Sequence, residues 1–216
     1  MGELDRALFA LLNRGWTHPW LDETMPLLTN SRLWLPLLAT VALWLWFGAG
    51  GRWRPLVLCL GVAVGLADLT SARLIKRWVG RSRPCCVEPE VRLLVGCSKS
   101  RSYPSCHAAN AGAVAGVVLG EAGWAAGLPV LLLALAVSYS RVYVGVHYPL
   151  DVVGGFCLGL ALARLVILAR RRWWGSSPAA PAARVASSSG SPAPMAAPPT
   201  AATPPAPPPP PPSAGE

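Results

Sequence analysis

Three short stretches of the chain combine cationic side chains with hydroxyl, imidazole and carboxylate groups. They read Lys76-x6-Arg83-Pro84, Pro104-Ser105-Cys106-His107 and Ser140-Arg141-x5-His147-x3-Asp151. Ionisable groups near the ends of apolar segments are costly to maintain, so a set of them indicates a functional site. The types and spacing of these residues indicate the chemistry that such a site supports.

The three cations of these stretches have no carboxylate partner close by in the sequence. They are Lys76, Arg83 and Arg141. An arginine guanidinium matches two phosphate oxygens at once, and a lysine supplies a point charge. Ser105 stands where the N-cap of a helix is expected, and the free backbone N–H groups at a helix N-terminus attract an anion. Together these groups predict a binding site for phosphate.

Two histidines and one aspartate supply the groups needed to transfer that phosphate. One imidazole can attack phosphorus, and the other can protonate the leaving oxygen. Asp151 lies four residues after His147, close enough to hold one ring nitrogen and leave the other free. Because the cations can stabilise charge on the equatorial oxygens, the set predicts phosphoryl transfer with no metal ion and no cofactor. A thiol phosphatase built on Cys106 is disfavoured, since the His147–Asp151 pair already supplies a nucleophile.

The three stretches resemble the tripartite signature of the type 2 phosphatidic acid phosphatase superfamily: Lys-x6-Arg-Pro, Pro-Ser-x-His and Ser-Arg-x5-His-x3-Asp. The resemblance covers about residues 1–174, with the signature inside 76–151. Cys106 is the one departure, since the family most often has glycine there. The position packs against the phosphate through its backbone amide, so another small residue is expected to serve. The resemblance implies a helical-bundle lipid phosphatase that needs no metal.

The resemblance also implies a role for each motif position. His147 is similar to the nucleophile that forms a phosphohistidine, Asp151 to the residue that orients it, and His107 to the general acid. The implied phosphate-binding residues are Lys76, Arg83, Ser105, Arg141, Ser140 and the backbone amide of Cys106.

The sequence leaves the lipid substrate open. The short amphipathic start and the pattern Asn13…His18-Pro19…Leu21-Asp22 resemble the bacterial undecaprenyl-diphosphate phosphatase branch, which makes undecaprenyl diphosphate the favoured substrate. Phosphatidylglycerol phosphate, phosphatidic acid and lipid A present similar phosphate groups and stay as alternatives. A lipid phosphotransferase, or a lipid-binding or transport protein without turnover, would use the same anion site.

Composition indicates that a membrane surrounds these motifs. The 216-residue chain is 53% hydrophobic and 13% charged, with mean hydropathy +0.42, whereas soluble domains carry about 25% charged residues. Five apolar segments approach the roughly 20 residues that a bilayer crossing needs; they are 33–49, 56–75, 105–118, 128–144 and 150–169. They predict an all-α integral membrane bundle of five to six helices with all three motifs on one face. The bundle argues against a nucleic-acid partner despite the net charge of +9.

The two ends of the chain differ from this bundle. Leu4, Leu8 and Leu11 share one helical face in a stretch too short to span, which predicts an interfacial amphipathic helix. Residues 175–216 hold 14 of the 23 prolines and are rich in alanine and serine. That composition predicts a disordered tail after a membrane phosphatase domain of residues 1–174.

Charge alone does not orient the bundle. The face that carries the motifs holds more of the lysines and arginines, whereas the triplet Arg170–Arg172 follows the last segment. The triplet and the family resemblance favour an active site on the extracytoplasmic face of a bacterial inner membrane. If that face is oxidising, Cys97 is expected to pair with either Cys85 or Cys86 in the same loop.

Overall fold

The computed structural model describes residues 2–175, which contain nine α-helices and no strand. The helices are α1 (Glu3–Ala10), α2 (Pro19–Leu28), α3 (Ser31–Phe47), α4 (Arg54–Leu69), α5 (Lys76–Val79), α6 (Pro84–Val87), α7 (Cys106–Ala122), α8 (Trp124–Tyr143) and α9 (Pro149–Trp174). Two π-helical segments, Leu11–Gly15 and Thr70–Ile75, continue α1 and α4. The predicted all-α fold is confirmed, and the predicted tail lies outside the described residues apart from Gly175.

Three helical stretches are long and apolar enough to cross a membrane: Gly51–Val87, Trp124–Tyr143 and Pro149–Trp174. In the first, the helix continues to Val79 at the end of α5, beyond the end predicted at residue 75, and α6 follows after the irregular residues 80–83. The helices α3 and α7 have 17 residues each, slightly fewer than the roughly 20 that a perpendicular crossing needs. All five predicted segments are helical, and α2 is a further helix that the sequence pattern did not single out.

Small side chains let the helices around α7 approach one another closely. Ala109 and Ala113 of α7 are fully buried against Ala63 and Ala67 of α4 and Ala163 of α9. The segment is rich in alanine and glycine, whose small side chains allow close contact between helices in a membrane. Because these helices meet almost backbone to backbone, their ends are held at fixed relative positions.

The helix α1 lies with leucines outward and an aspartate inward. Leu4 and Leu8 expose 73% and 40% of their surface, whereas Asp5 and Phe9 expose only 3% each. Exposed leucines on this helix fit a position in the membrane interface, where lipid can cover them. The face of α1 that looks polar in the sequence therefore includes part of the protein interior.

Two ion pairs of Glu121 lie at the end of α7 that is remote from the motifs. Glu121 binds Arg170 at 2.9 Å and Arg171 at 3.7 Å, and its side chain is 3% exposed. Two of the three arginines that follow the last apolar segment are thus paired within the protein. The triplet is a weaker orientation signal than its charge in the sequence suggests.

The close contact between α7 and α9 can be tested by a substitution at Gly159. A Cβ atom added to Gly159 would overlap the backbone oxygen of Ala109, and overpacking of this kind destabilises by about 1–3 kcal/mol. We expect Gly159→Ala to lower the thermal unfolding midpoint of the detergent-purified protein by several degrees. The matched control is Gly61→Ala in α4, where a Cβ would meet nothing within 4 Å. Equal midpoints for the two variants would contradict the close approach of α7 and α9.

Candidate active site

The three sequence motifs meet at one end of the bundle. The segment around α5 and α6 brings Lys76 and Arg83, the start of α7 brings Ser105, and the junction between α8 and α9 brings the third motif. Among the described residues, most of the predicted site side chains are buried or nearly so; their exposed fractions are 7% for Lys76, 6% for Arg83, 0% for Ser105, 0% for Ser140, 9% for Arg141, 1% for His147 and 0% for Asp151. Cys106 and His107 are half-buried.

Both ring nitrogens of His147 have partners. Nε2 lies 3.0 Å from Nη1 of Arg83, and Nδ1 lies 3.5 Å from Oδ2 of Asp151. An arginine guanidinium can only donate hydrogen bonds, so Nε2 must be the acceptor. The ring proton therefore sits on Nδ1, directed at Asp151, and the lone pair of Nε2 faces the cations.

The environment of His147 keeps its imidazole neutral. Burial, followed by the positive charges of Arg83 and Arg141, lowers the pKa of His147 to about 3, against the opposing effect of the hydrogen bond that Asp151 accepts from the ring. A histidine whose pKa lies this low is unprotonated throughout the physiological range. The free imidazole is the form that can act as a nucleophile.

The carboxylate of Asp151 is held on both oxygens. Oδ1 accepts a hydrogen bond from Arg81 Nη1 at 2.7 Å. Oδ2 accepts from Ser102 Oγ at 2.5 Å and from the backbone N–H of Tyr148 at 2.9 Å. This leaves the carboxylate one orientation, in which Oδ2 faces the imidazole of His147.

The arginines of the first and third motifs are fixed by neutral partners rather than by carboxylates. Arg83 donates to the backbone oxygen of Ser100 at 2.8 Å and to its hydroxyl at 2.9 Å. Arg141 donates to the hydroxyl of Thr29, and its buried Nε has no hydrogen-bond partner among the described residues. Both guanidinium groups therefore keep their full positive charge for an anion, and Arg141 keeps an unused donor.

The N-terminus of α7 is the third part of the chain that contributes polar groups to the site. Ser105 is its N-cap, and its Oγ accepts from the backbone N–H of Ala108 at 3.5 Å. The backbone N–H of Ser105 donates to the carbonyl of Asp151 at 2.9 Å, which joins the starts of α7 and α9. Cys106 lies beside Lys76, and His107 lies beside the backbone of Thr29.

Ser140 is the predicted site residue that the structure does not direct at the cations. Its hydroxyl donates to the carbonyl of Val137 at 2.7 Å, within its own helix. Its backbone oxygen accepts from the N–H of Val144 at the end of α8. In this arrangement Ser140 shapes the turn that leads to His147.

Sequence reasoning missed several residues that hold the site together: Asp5, Thr29, Arg81, Ser100 and Ser102. Arg81 lies inside the first motif, among the six positions that its pattern leaves undefined. Thr29 and Asp5 come from the N-terminal helices, far from any motif. A signal for Arg81 was present, namely a second arginine two residues before Arg83, but its partner could not be read from spacing.

A disulfide braces the loop that carries two of these residues. Cys85 is bonded to Cys97, with their Cα atoms 6.0 Å apart. Cys86 is exposed and unpaired, with its Sγ 3.5 Å from that of Cys97. Of the two pairings that the sequence left open, the structure has the one with Cys85. The bond ties α6, next to Arg83, to the loop that contains Ser100.

Comparisons with known proteins show the family of this chain. The family model of the PAP2 superfamily matches residues 56–174. The chain is 31% identical over 170 residues to a lipid A 4'-phosphatase of Bacteroides thetaiotaomicron, covering 74% of this chain and 73% of the relative. It is 30% identical over 148 residues to an undecaprenyl-diphosphatase of Bacillus subtilis, covering 67% of this chain and 72% of the relative.

The fold is also similar to a solved structure. The crystal structure of a transmembrane PAP2-type phosphatidylglycerolphosphate phosphatase from Bacillus subtilis has a TM-score of 0.63 and 26% identity, covering 80% of this chain and 89% of the other. The family-model match, residues 56–174, includes all three motifs. The chain therefore belongs to the PAP2 superfamily, within its membrane-embedded lipid phosphatases.

Proposed function

We propose that this protein hydrolyses a lipid diphosphate, with undecaprenyl diphosphate as the favoured substrate, through a phosphohistidine on His147. The observation that carries the proposal is the state of that imidazole: neutral, with Nδ1–H directed at Asp151 and the Nε2 lone pair directed at a cluster of cations. This is the arrangement that in-line attack on phosphorus requires.

The reaction divides into two displacements. In the first, Nε2 of His147 forms a bond to phosphorus, the bond from phosphorus to the lipid-side oxygen breaks, and His107 donates a proton to that oxygen. Asp151 stabilises the positive charge that the imidazole acquires. In the second, His107 takes a proton from water, whose oxygen attacks the phosphohistidine and releases inorganic phosphate and free His147.

The cations are proposed to stabilise the charge on the equatorial oxygens. Arg83 contacts the attacking nitrogen at 3.0 Å, Lys76 and Arg141 lie with it around His107, and the unused Nε–H of Arg141 offers a further donor. At the N-terminus of α7, the Ser105 hydroxyl and the Cys106 backbone N–H add further hydrogen-bonding groups for the phosphate. Because these groups supply the positive charge that a metal ion supplies in other phosphatases, we propose that catalysis requires no metal.

An apolar groove beside the site supports a lipid substrate. It has a volume of about 400 Å³ and lies between α2 and α3, lined by Thr24, Leu27, Leu28, Leu33, Trp34 and Leu37. Leu28 is next in sequence to Thr29, which binds Arg141. A hydrocarbon chain in this groove would place its phosphate end at the cations. The similarity to an undecaprenyl-diphosphatase favours an isoprenoid chain, and the solved relative makes phosphatidylglycerol phosphate the second candidate.

The nucleophile can be tested by substitution. We expect His147→Ala to lower phosphate release from undecaprenyl diphosphate by at least about 1,000-fold, because an enzyme that loses its nucleophile retains only binding and electrostatic effects. The purified variant should elute and melt as the unmodified protein does. The matched control is His18→Asn, because His18 lies outside the motifs and caps α2 through Nδ1, a task that asparagine also performs. Full activity in folded His147→Ala protein would reject the mechanism.

A substrate panel distinguishes the candidate lipids and the rival functions. We expect purified protein to release phosphate fastest, by kcat/KM, from undecaprenyl diphosphate, compared with phosphatidylglycerol phosphate, phosphatidic acid and lipid A. EDTA should leave the rate unchanged, whereas orthovanadate, which resembles the transition state, should inhibit. Tight lipid binding without phosphate release would indicate a binding or transport protein, and transfer to an added lipid hydroxyl a phosphotransferase. A strict requirement for a metal ion would contradict the proposed site.

We further propose that the active site lies on the extracytoplasmic face of a bacterial inner membrane. The Cys85–Cys97 disulfide beside the site supports this side, since disulfides persist in oxidising compartments. We expect a membrane-impermeant maleimide to label Cys86 in intact cells or spheroplasts, because Cys86 is exposed and unpaired. The control is Cys86→Ser, in which this labelling should be lost. Labelling of Cys86 only after the membrane is permeabilised would place the site in the cytoplasm.

A further inference from the structure

We propose that Arg81 is a positioning residue that holds the Asp151 carboxylate against His147, and that Asp5 of the N-terminal helix holds Arg81 in turn. The three side chains form a continuous ion-paired chain, Asp5–Arg81–Asp151, beneath the site. The inference rests on the proposed function, since it concerns how the nucleophile of that reaction is oriented.

Arg81 is fixed by three separate contacts. Nη1 donates to Asp151 Oδ1 at 2.7 Å, and Nη2 donates to Asp5 Oδ2 at 2.5 Å. The guanidinium carbon lies 4.0 Å from the centre of the Tyr148 ring, in a cation–π arrangement. The side chain of Arg81 is only 12% exposed, and those of its two carboxylate partners are 2% and 0% exposed. Removing one partner of an ion pair buried this deeply strongly destabilises the protein, because the other charge is left buried without compensation.

The backbone around Arg81 explains how its side chain comes to contact Asp151. Residues 80–83 form an irregular segment between α5 and α6, and in an extended chain the side chains of residues i and i+2 point to the same side. Arg81 and Arg83 both point inward, while Ser82 between them is exposed. Arg83 contacts the Nε2 end of the His147–Asp151 pair, and Arg81 contacts the opposite end.

The contact with Arg81 restricts the rotation of the Asp151 carboxylate. Oδ2 already accepts from Ser102 and from the N–H of Tyr148. Without Arg81, the charged Oδ1 would be buried without a partner, and rotation of the carboxylate away from the imidazole would be opposed only by the contacts of Oδ2. Arg81 removes that alternative, so that Oδ2 stays directed at the proton on Nδ1 of His147.

The carboxylate of Asp5 sets the net charge of the Asp5–Arg81–Asp151 group. One cation lies between Asp5 and Asp151, which leaves one net negative charge to meet the imidazolium that forms as His147 attacks. Asp5 also accepts from the backbone N–H of Leu150 at 2.9 Å, in the first turn of α9. The same residue therefore docks α1 on the helix that carries Asp151 and anchors the arginine that orients it.

Arg81 differs from the phosphate-binding cations, because both of its Nη atoms are occupied by carboxylates. Its loss should therefore impair the chemical step and spare the binding of phosphate. We expect Arg81→Gln to lower kcat by about 10- to 100-fold, the range typical of groups that orient a reacting residue. KM and the inhibition constant for inorganic phosphate should change less than twofold. Arg81→Lys, which restores the charge through one contact, should recover part of the lost kcat.

The controls separate positioning from folding and from the mechanism itself. Arg77→Gln, an exposed arginine in α5, should retain full activity. Adding Arg81→Gln to Asp151→Asn should cost less than threefold more, because Arg81 acts through Asp151. If Arg81→Gln does not fold, Asp5→Asn and Arg81→Lys carry the test, and both should lower kcat without raising KM.

Two outcomes would overturn the inference. One is an unchanged kcat in folded Arg81→Gln protein, or in both Asp5→Asn and Arg81→Lys. The other is a KM or phosphate inhibition constant that rises as much as kcat falls, which would make Arg81 a phosphate ligand. Either result, combined with an inactive His147→Ala protein, refutes the role of Arg81 alone. Activity in His147→Ala would instead refute the proposed function.

Discussion

The hydrogen bond between Arg83 and His147 is the interaction on which the chemistry of this site depends. Because a guanidinium cannot accept a hydrogen bond, its 3.0 Å contact with Nε2 leaves the ring proton on Nδ1. The proton on Nδ1 then needs an acceptor on the other side of the ring, where Asp151 Oδ2 lies at 3.5 Å and the Ser102 hydroxyl at 3.4 Å. One donor thus determines which ring nitrogen carries the lone pair and which carries the proton.

The helix packing explains how such contacts are kept at fixed distances in a membrane. A Cβ on Gly155 of α9 would overlap the backbone of Ser105 at the start of α7, so the two helix starts touch through their backbones. The N–H of Ser105 donates to the carbonyl of Asp151 across this contact. In lipid, small residues are what allow helices to approach so closely. The same contact joins the anion-binding end of α7 to the residue that orients the nucleophile.

The N-terminal segment is part of the site rather than a separate membrane anchor. Its leucines face outward, where lipid can cover them, while Asp5 reaches Arg81 and the first turn of α9. Asn13 bonds the backbone of Arg92 and Tyr143, which fixes the loop and the end of α8 behind the third motif. The helix α1, whose exposed leucines fit a place in the membrane interface, is thereby connected to the residues of the candidate site.

The sequence by itself determined the site residues that chemistry selects by type and spacing, and the helices that long apolar runs require. The spacing of four positions from His147 to Asp151 suffices to predict their contact, because so short a stretch of chain keeps the two side chains within reach, even though His147 lies just before α9. It did not reveal α2, a short helix with a proline inside it, because its apolar run is brief.

Only the tertiary structure decided the contacts between residues distant in the chain. Arg81 is 76 positions from Asp5 and 70 from Asp151, and Thr29 is 112 from Arg141. It also decided that Cys85 rather than Cys86 pairs with Cys97. The physical reason is that periodicity shows which face of a helix is apolar but not which partner it meets. That depends on how closely the small residues of α4, α7 and α9 allow the helices to pack.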